Sequence, residues 1–383
     1  MIELIISLLL AFGITFYAIP VIINVAEAKH LFDVPDERKI HKKPIPSLGG
    51  LGIFAGFIMA MLITIPFKGN QISFQYIVAA CLVIFFVGVK DDILIITPLK
   101  KFLGQLLATG ILVFKGGIIL TNMHGILGMY QLSEPIAYCI TIFTIVVIIN
   151  AFNLIDGVDG LAGSLGVLIT MALGVYFTVN GNIEYGCVAF ALMGALLAFL
   201  IFNFSPAKIF MGDTGSLILG LVVSVLIIKF INFAPTAPVL AFQSAPAVGF
   251  AVLFIPLFDT LRVFSIRMLQ GKSPFTPDRN HIHHILLDKG LSHRMVTLSL
   301  VFSNLIMIIL GGLGSFINIH FLLAGILLLG FSTVGLLAMA KGKTRLRSVS
   351  GFDEAIDGKQ TKKIRLMPIG NKPAKNDLSS EVV

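Results

Sequence analysis

From Ile2 to Met339 the chain alternates long apolar runs with short clusters of polar residues, glycine and proline. A helix needs roughly 20 apolar residues to cross a bilayer. On that measure the runs predict spans near residues 2–23, 48–67, 75–89, 102–121, 136–153, 161–179, 187–202, 215–233, 247–266, 295–314 and 321–339. The expected fold is therefore an all-α polytopic membrane protein with about 11 transmembrane helices. The first run lacks a basic leading segment and a small-residue cleavage site, so it reads as a retained span rather than a signal peptide. After residue 339 the pattern stops. Residues 340–383 carry few apolar side chains and ten basic against five acidic ones. The chain thus divides into a membrane domain, 1–339, and a basic tail, 340–383, whose composition predicts disorder and attraction to anionic lipid.

Composition sharpens this picture. Hydrophobic residues make up 56% of the 383, charged residues only 13%, and the mean hydropathy is +0.96. A soluble domain carries about a quarter charged residues. The net charge of +8 invites a nucleic-acid reading, but its distribution gives a simpler cause. If the spans alternate, 25 of the 28 Lys and Arg fall on one side, leaving Lys68, Lys115 and Lys229 on the other. The positive-inside rule then puts the N-terminus outside and the tail in the cytoplasm, and no nucleic acid is needed to explain the charge. Cys81, Cys139 and Cys187 lie in apolar runs with no metal-ligand spacing, and read as small packing residues.

Against this background the polar residues stand out. Ionisable groups within or beside spans are costly and mark sites by default. Asp91, Asp92, Asp156, Asp159, Asp213, Asp259 and Asp278 all fall at the ends of spans predicted to be cytoplasmic. Asp91 and Asp92, in "VGVKDDILIITPLKK", repel one another unless a cation or a shared proton intervenes; the plainer reading is a solvated pair beside Lys90. "NAFNLIDGVDGLAG" places Asn150, Asn153 and Asp156 on one broad helical face, with Gly157 and Gly160 ending the helix. Its carboxylates and amide oxygens are hard ligands suited to Mg²⁺, although capping and turn chemistry would use the same residue types. In "NFSPAKIFMGDTGS", Asp213 opens a span as a helix cap, a metal ligand beside a phosphate-binding N-terminus, or both.

The stretch "RMLQGKSPFTPDRNHIHHILLDKG" gathers Arg267, Lys272, Arg279, His281, His283 and His284. Zinc would need a cysteine or a nearby carboxylate to complete its tetrahedron. Phosphate and sugar recognition suits the set better, with arginine as a bidentate phosphate ligand. "DERKIHKKPIPSLGG", which contains Lys43, adds a basic approach to the second span, and topology alone could account for it.

The run of motifs "HKKPIPSLGG", "KDD", "NAFNLIDGVDGLAG", "FMGDTGS" and "SPFTPDRNHIHH", in that order, resembles the polyprenyl-phosphate N-acetylhexosamine-1-phosphate transferase family. The likeness covers nearly the whole membrane region. The His-Ile-His-His form is similar to the GlcNAc-1-phosphate transferase branch rather than to the phospho-MurNAc-pentapeptide translocases, which tend to consecutive histidines. The resemblance implies transfer of a sugar-1-phosphate from a UDP-N-acetylhexosamine to undecaprenyl phosphate at the inner face of a bacterial cytoplasmic membrane, with release of UMP. It implies Mg²⁺, with Mn²⁺ as a substitute, and a homodimer is a further expectation. Carried over residue by residue, it makes Asp213 and Asn153 metal ligands and Asp91 or Asp92 the group that deprotonates the lipid phosphate or helps hold the metal. Lys43, Asn150, Asp156, Asp159, Arg267, Arg279, His281, His283 and His284 become substrate contacts. A direct displacement and a covalent aspartyl-phosphate route use the same residues. The rival readings are the peptidoglycan translocase, an ion-coupled transporter and a scaffold. A transporter would place its carboxylates near the bilayer midplane, and a scaffold would need none at five span ends.

Overall fold

A computed structural model describes residues 1–31, 45–65, 72–94, 96–273 and 280–339. These form α1 (Ile2–Ala28), α2 (Gly49–Thr64), α3 (Ile72–Leu94), α4 (Pro98–Gly110), α5 (Glu134–Ile155), α6 (Leu161–Val179), α7 (Ile183–Asn203), α8 (Gly212–Phe233), α9 (Ala245–Val252), α10 (Phe254–Leu269), α11 (Ile282–Asp288), α12 (His293–Leu313) and α13 (Ile319–Met339). Among the described residues there is no β-sheet; an isolated antiparallel bridge joins Asn122 to Gln131. Seven of these helices are long and apolar enough to cross a membrane, or eight if the bent pair α9–α10 counts as one span. The tail 340–383, Lys43, Asp278 and Arg279 lie outside the described residues.

Every apolar run read from the sequence overlaps a helix, with two informative departures. The run 102–121 is helical from Pro98, turns through a π-helical segment at Ile111–Lys115, and then leaves the helix at Gly116 and Gly117, the latter at φ 62°. The run 247–266 is broken by an 87° bend between Val252 and Phe254. Pro256 explains the break, because it has no N–H to give the carbonyl four residues back. That carbonyl, on Val252, instead accepts from Asn304 Nδ2 at 3.0 Å, and Asn304 Oδ1 accepts from Ile255 N at 2.9 Å. One fully buried amide therefore satisfies the backbone that the bend exposes, as an apolar setting requires.

At the centre is α8, the most enclosed of the spans, packed on α2, α3 and α5. It accepts its neighbours through small residues, as membrane helices do when dispersion rather than hydrophobic burial drives association. A Cβ on Gly50 of α2 would fall 2.2 Å from Gly215 N, and one on Gly88 of α3 would fall 2.4 Å from Thr214 Cα. Either alanine would push its helix off the start of α8. Those contacts bring the C-terminal turn of α3 onto the N-terminus of α8. Helices α1 and α13 are the least enclosed and border the bundle.

Candidate active site

The C-terminal ends of α3 and α5 meet the N-terminal ends of α4 and α8 at one end of the bundle, and three of the predicted residues converge there. Lys101, in the first turn of α4, is the centre. Its Nζ lies 2.8 Å from Asp213 Oδ2, 3.2 Å from Asp91 Oδ2 and 3.3 Å from Asn153 Oδ1. Asn153 Nδ2 in turn donates to Asp213 Oδ1 and, at 3.0 Å, to Ser216 Oγ. Two carboxylates and an amide oxygen, from three helices, thus surround one cationic point.

The adjacent aspartates are placed differently. Asp91 Oδ1 accepts from Ile96 N at 2.7 Å, while its other oxygen faces Lys101. Asp92 turns the other way and caps α8 across the fold. It accepts from Asp213 N at 2.6 Å, Thr214 N at 3.1 Å and Thr214 Oγ1 at 2.6 Å. A carboxylate there meets the unpaired N–H groups and the positive end of the helix dipole. Gly212, at φ 71°, makes the approach feasible: a Cβ would sit 2.1 Å from Ser47 O and 2.7 Å from Asp92 Oδ1. Asn150 lies deeper along α5 and pairs with Gln105, donating to its Oε1 at 2.8 Å.

The loop 156–160 closes a second side. Asp156 is half-buried. Burial first, then the charges of Asp213, Asp92 and Asp159, push its carboxyl up to about 7. Gly157 sits under His283, where a Cβ would meet His283 Nε2 at 2.7 Å. Burial is the main cause that lowers His283 to about 3, so the ring is neutral at physiological pH. His283 Nδ1 is buried with no hydrogen-bond partner among the described residues. The rings of His281, His283 and His284 cluster with centroids 4.4–6.5 Å apart; His281 and His283 are stacked, and His284 is tilted against both. His281 Nδ1 lies 2.8 Å from Asp259 Oδ2, and Asp259 Oδ1 accepts from Ile282 N at 2.9 Å. Asp259 thereby anchors the histidine turn, assisted by Arg262 at 3.3 Å. Arg267, further along α10, is buried and packs beside the Phe264 ring. Asp159 is not grouped with Lys101: it is 4% exposed and faces the 203–207 segment and α12.

Among the described residues no three His, Cys, Asp or Glu side chains converge tightly enough to hold a metal by themselves. The set around Lys101 nevertheless suits a hard cation, since its oxygens already enclose a positive charge. Magnesium characteristically takes few protein ligands and completes its shell with water and phosphate oxygens.

Sequence reasoning missed Lys101, Gln105 and the capping role of Asp92. Lys101 was hidden among charges that the topology rule explains. Its signal is position: a lysine one turn into a helix that starts just after an aspartate pair.

Residues 74–231 match the family described as glycosyl transferase family 4. The chain is 31% identical to a probable undecaprenyl-phosphate N-acetylglucosaminyl 1-phosphate transferase of Bacillus subtilis, over 78% of this chain and 81% of that protein. It is 32% identical to an undecaprenyl-phosphate α-N-acetylglucosaminyl 1-phosphate transferase of Haemophilus influenzae, over 79% and 84% of the two chains. Identity is 31% to a decaprenyl-phosphate N-acetylglucosaminephosphotransferase of Mycobacterium leprae, over 74% and 77%.

Proposed function

The chain belongs to glycosyl transferase family 4, and from that membership we propose that it transfers N-acetylglucosamine-1-phosphate from a UDP-linked donor to undecaprenyl phosphate. UMP leaves and a diphosphate-linked lipid sugar forms, the first membrane step of an envelope polysaccharide. The observation that carries this reading is the meeting of Asp91, Asn153 and Asp213 around Lys101 at one end of the bundle. Acidic oxygens and an ammonium at a single point are what a diphosphate and its counter-cation require.

In this mechanism an oxygen of the lipid phosphate attacks the β-phosphorus of the donor. The bond from that phosphorus to the bridging oxygen breaks, and UMP takes the electron pair. Asp91 is the better placed of the two aspartates to receive a proton from the lipid phosphate, because one of its oxygens faces the cluster. Asp92 acts by position, holding the first turn of α8 and with it Asp213. Lys101 neutralises the phosphates once they enter. His283, kept neutral, offers a hydrogen bond to donor oxygens beside the Gly157 backbone. Asp213 and Asn153 would hold Mg²⁺. That ion, when bound, withdraws charge from the diphosphate and makes UMP a better leaving group.

The same reading takes eleven crossings, an external N-terminus and a cytoplasmic site on the inner membrane. It is supported by the Lys and Arg bias and by the meeting of Asp91, Asn153 and Asp213 around Lys101. Purified enzyme given undecaprenyl phosphate should move label from UDP-[³H]GlcNAc into organic extract, and should not do so from labelled UDP-MurNAc-pentapeptide. Label in the lipid only with the peptide-bearing donor would replace this reading with the peptidoglycan translocase. Accumulation of label in sealed vesicles with no lipid product would point to transport.

A further inference from the structure

The loop 156–160 carries Asp156 among other carboxylates, and those charges act to push it away from the cluster. Its backbone is tied internally only at short range, by Gly157 N to Ile155 O at 2.8 Å and Leu161 N to Val158 O at 3.0 Å. What keeps it seated is therefore found outside the loop. Asp159 Oδ1 lies 3.2 Å from His293 Nδ1, and the same nitrogen is 3.4 Å from the Asp159 backbone N–H. Asp159 Oδ2 accepts from Ala207 N at 3.3 Å, and its carbonyl accepts from Thr297 Oγ1 at 3.0 Å. Gly160 N donates to Asn203 Oδ1 at 2.9 Å. His293 and Thr297 occupy one face of the first turn of α12, at spacing i and i+4.

We propose that His293 and Thr297 are positioning residues that latch the loop 156–160 through Asp159, and so set the affinity for the nucleotide-sugar donor. Both reach the site through Asp159, by its carboxylate, its backbone N–H and its carbonyl. Their effect passes through two and three residues of backbone, to Gly157 under His283 and to Asp156. The lipid phosphate approaches by Asp91, on the other side of the site, and is not governed by the latch. This assignment rests on the proposed transferase function.

The test separates the two. His293→Ala and Thr297→Val remove the contacts; His293→Asn keeps a polar group where Nδ1 lies, and Thr297→Ser keeps the hydroxyl. Losing one such bond is worth about a factor of ten. The removing variants should raise the KM for UDP-GlcNAc roughly tenfold, with kcat and the KM for undecaprenyl phosphate changed less than about threefold. His293→Asn and Thr297→Ser should return most of the donor affinity. A loss of kcat with both KM values unchanged, or an equal rise in both, would mean that α12 only supports the fold and would overturn the proposal. So would His293→Asn behaving as His293→Ala. Hydrogen exchange at the amides of residues 156–161, measured on the intact protein without substrate, should quicken about tenfold in His293→Ala while α8 amides hold their rate. Unchanged exchange there refutes the latch whatever the enzyme's substrate is; quickened exchange in a protein inactive on UDP-GlcNAc would refute the assigned reaction and leave the latch standing.

Discussion

Adjacent aspartates at residues 91 and 92 invite the assumption that they share a task, but their surroundings divide it. Asp92 receives two backbone N–H groups and a hydroxyl at the start of α8. Asp92→Asn keeps the shape and replaces one acceptor oxygen with a donor, so at least one N–H at the helix start faces another. Hydrogen bonds to a charged acceptor contribute about 1.5–3 kcal/mol each. Burial already pushes the Asp92 carboxyl up to about 6, so loss of its charge adds little to that cost. The substitution should therefore cost roughly 1.5–3 kcal/mol and lower the thermal midpoint by several degrees. Asp91→Asn loses no cap. The Asn keeps an oxygen for Ile96 N but loses the charge facing Lys101, so it should lower the midpoint less than Asp92→Asn does and, by removing the proton acceptor, lower kcat by roughly 10²–10⁴-fold. Both variants should be purified in one detergent, followed by thermal unfolding monitored through a thiol dye and by the radiolabel transfer assay. Wild-type stability in Asp92→Asn, or marked destabilisation in Asp91→Asn, would refute the division of labour.

Other outcomes follow from the same geometry. Asp213→Asn should abolish turnover at any Mg²⁺ concentration while the protein inserts and melts normally; near-normal activity at saturating Mg²⁺ would remove Asp213 from the site. Gly157→Ala puts a methyl 2.7 Å from His283 Nε2, and should raise the donor KM more than tenfold without changing the melting point by more than a degree or two. Asp156 holds its proton in the folded chain up to about 7, against an ordinary value of 3.8. The folded state thus binds more protons than the unfolded between those limits, and stability falls as pH rises through them. Melting curves in chelator should show that slope in the wild type and a shallower one in Asp156→Asn; identical slopes would contradict it.

Much of the fold was legible because a bilayer leaves so few options. Long apolar runs can only become helices, and polar residues placed at their ends must have a purpose. Asn153, Asp213 and Asp91 were found in this way, and they do meet. Distant partnerships were not legible. The bend at Pro256 depends on Asn304, two helices later, whose amide reads as an ordinary polar residue in an apolar run. Whether Asp91 or Asp92 faces the cluster depends on a helix rotation of about 100°, which no motif specifies. Asp159 looks like a twin of Asp156 in "DGVDG", yet α12 claims it.

The enclosure of Lys101 by oxygens from three helices has a consequence for how the proposed metal would enter. A cage already holding an ammonium can be made, inserted and stored without any ion, since that charge offsets much of the repulsion between its two carboxylates. A divalent ion taken up there would compete with that tenant, and its hold would be weakened accordingly. The displaced ammonium would then be at hand as a counter-charge for an incoming diphosphate, so that loading and readiness would be one event.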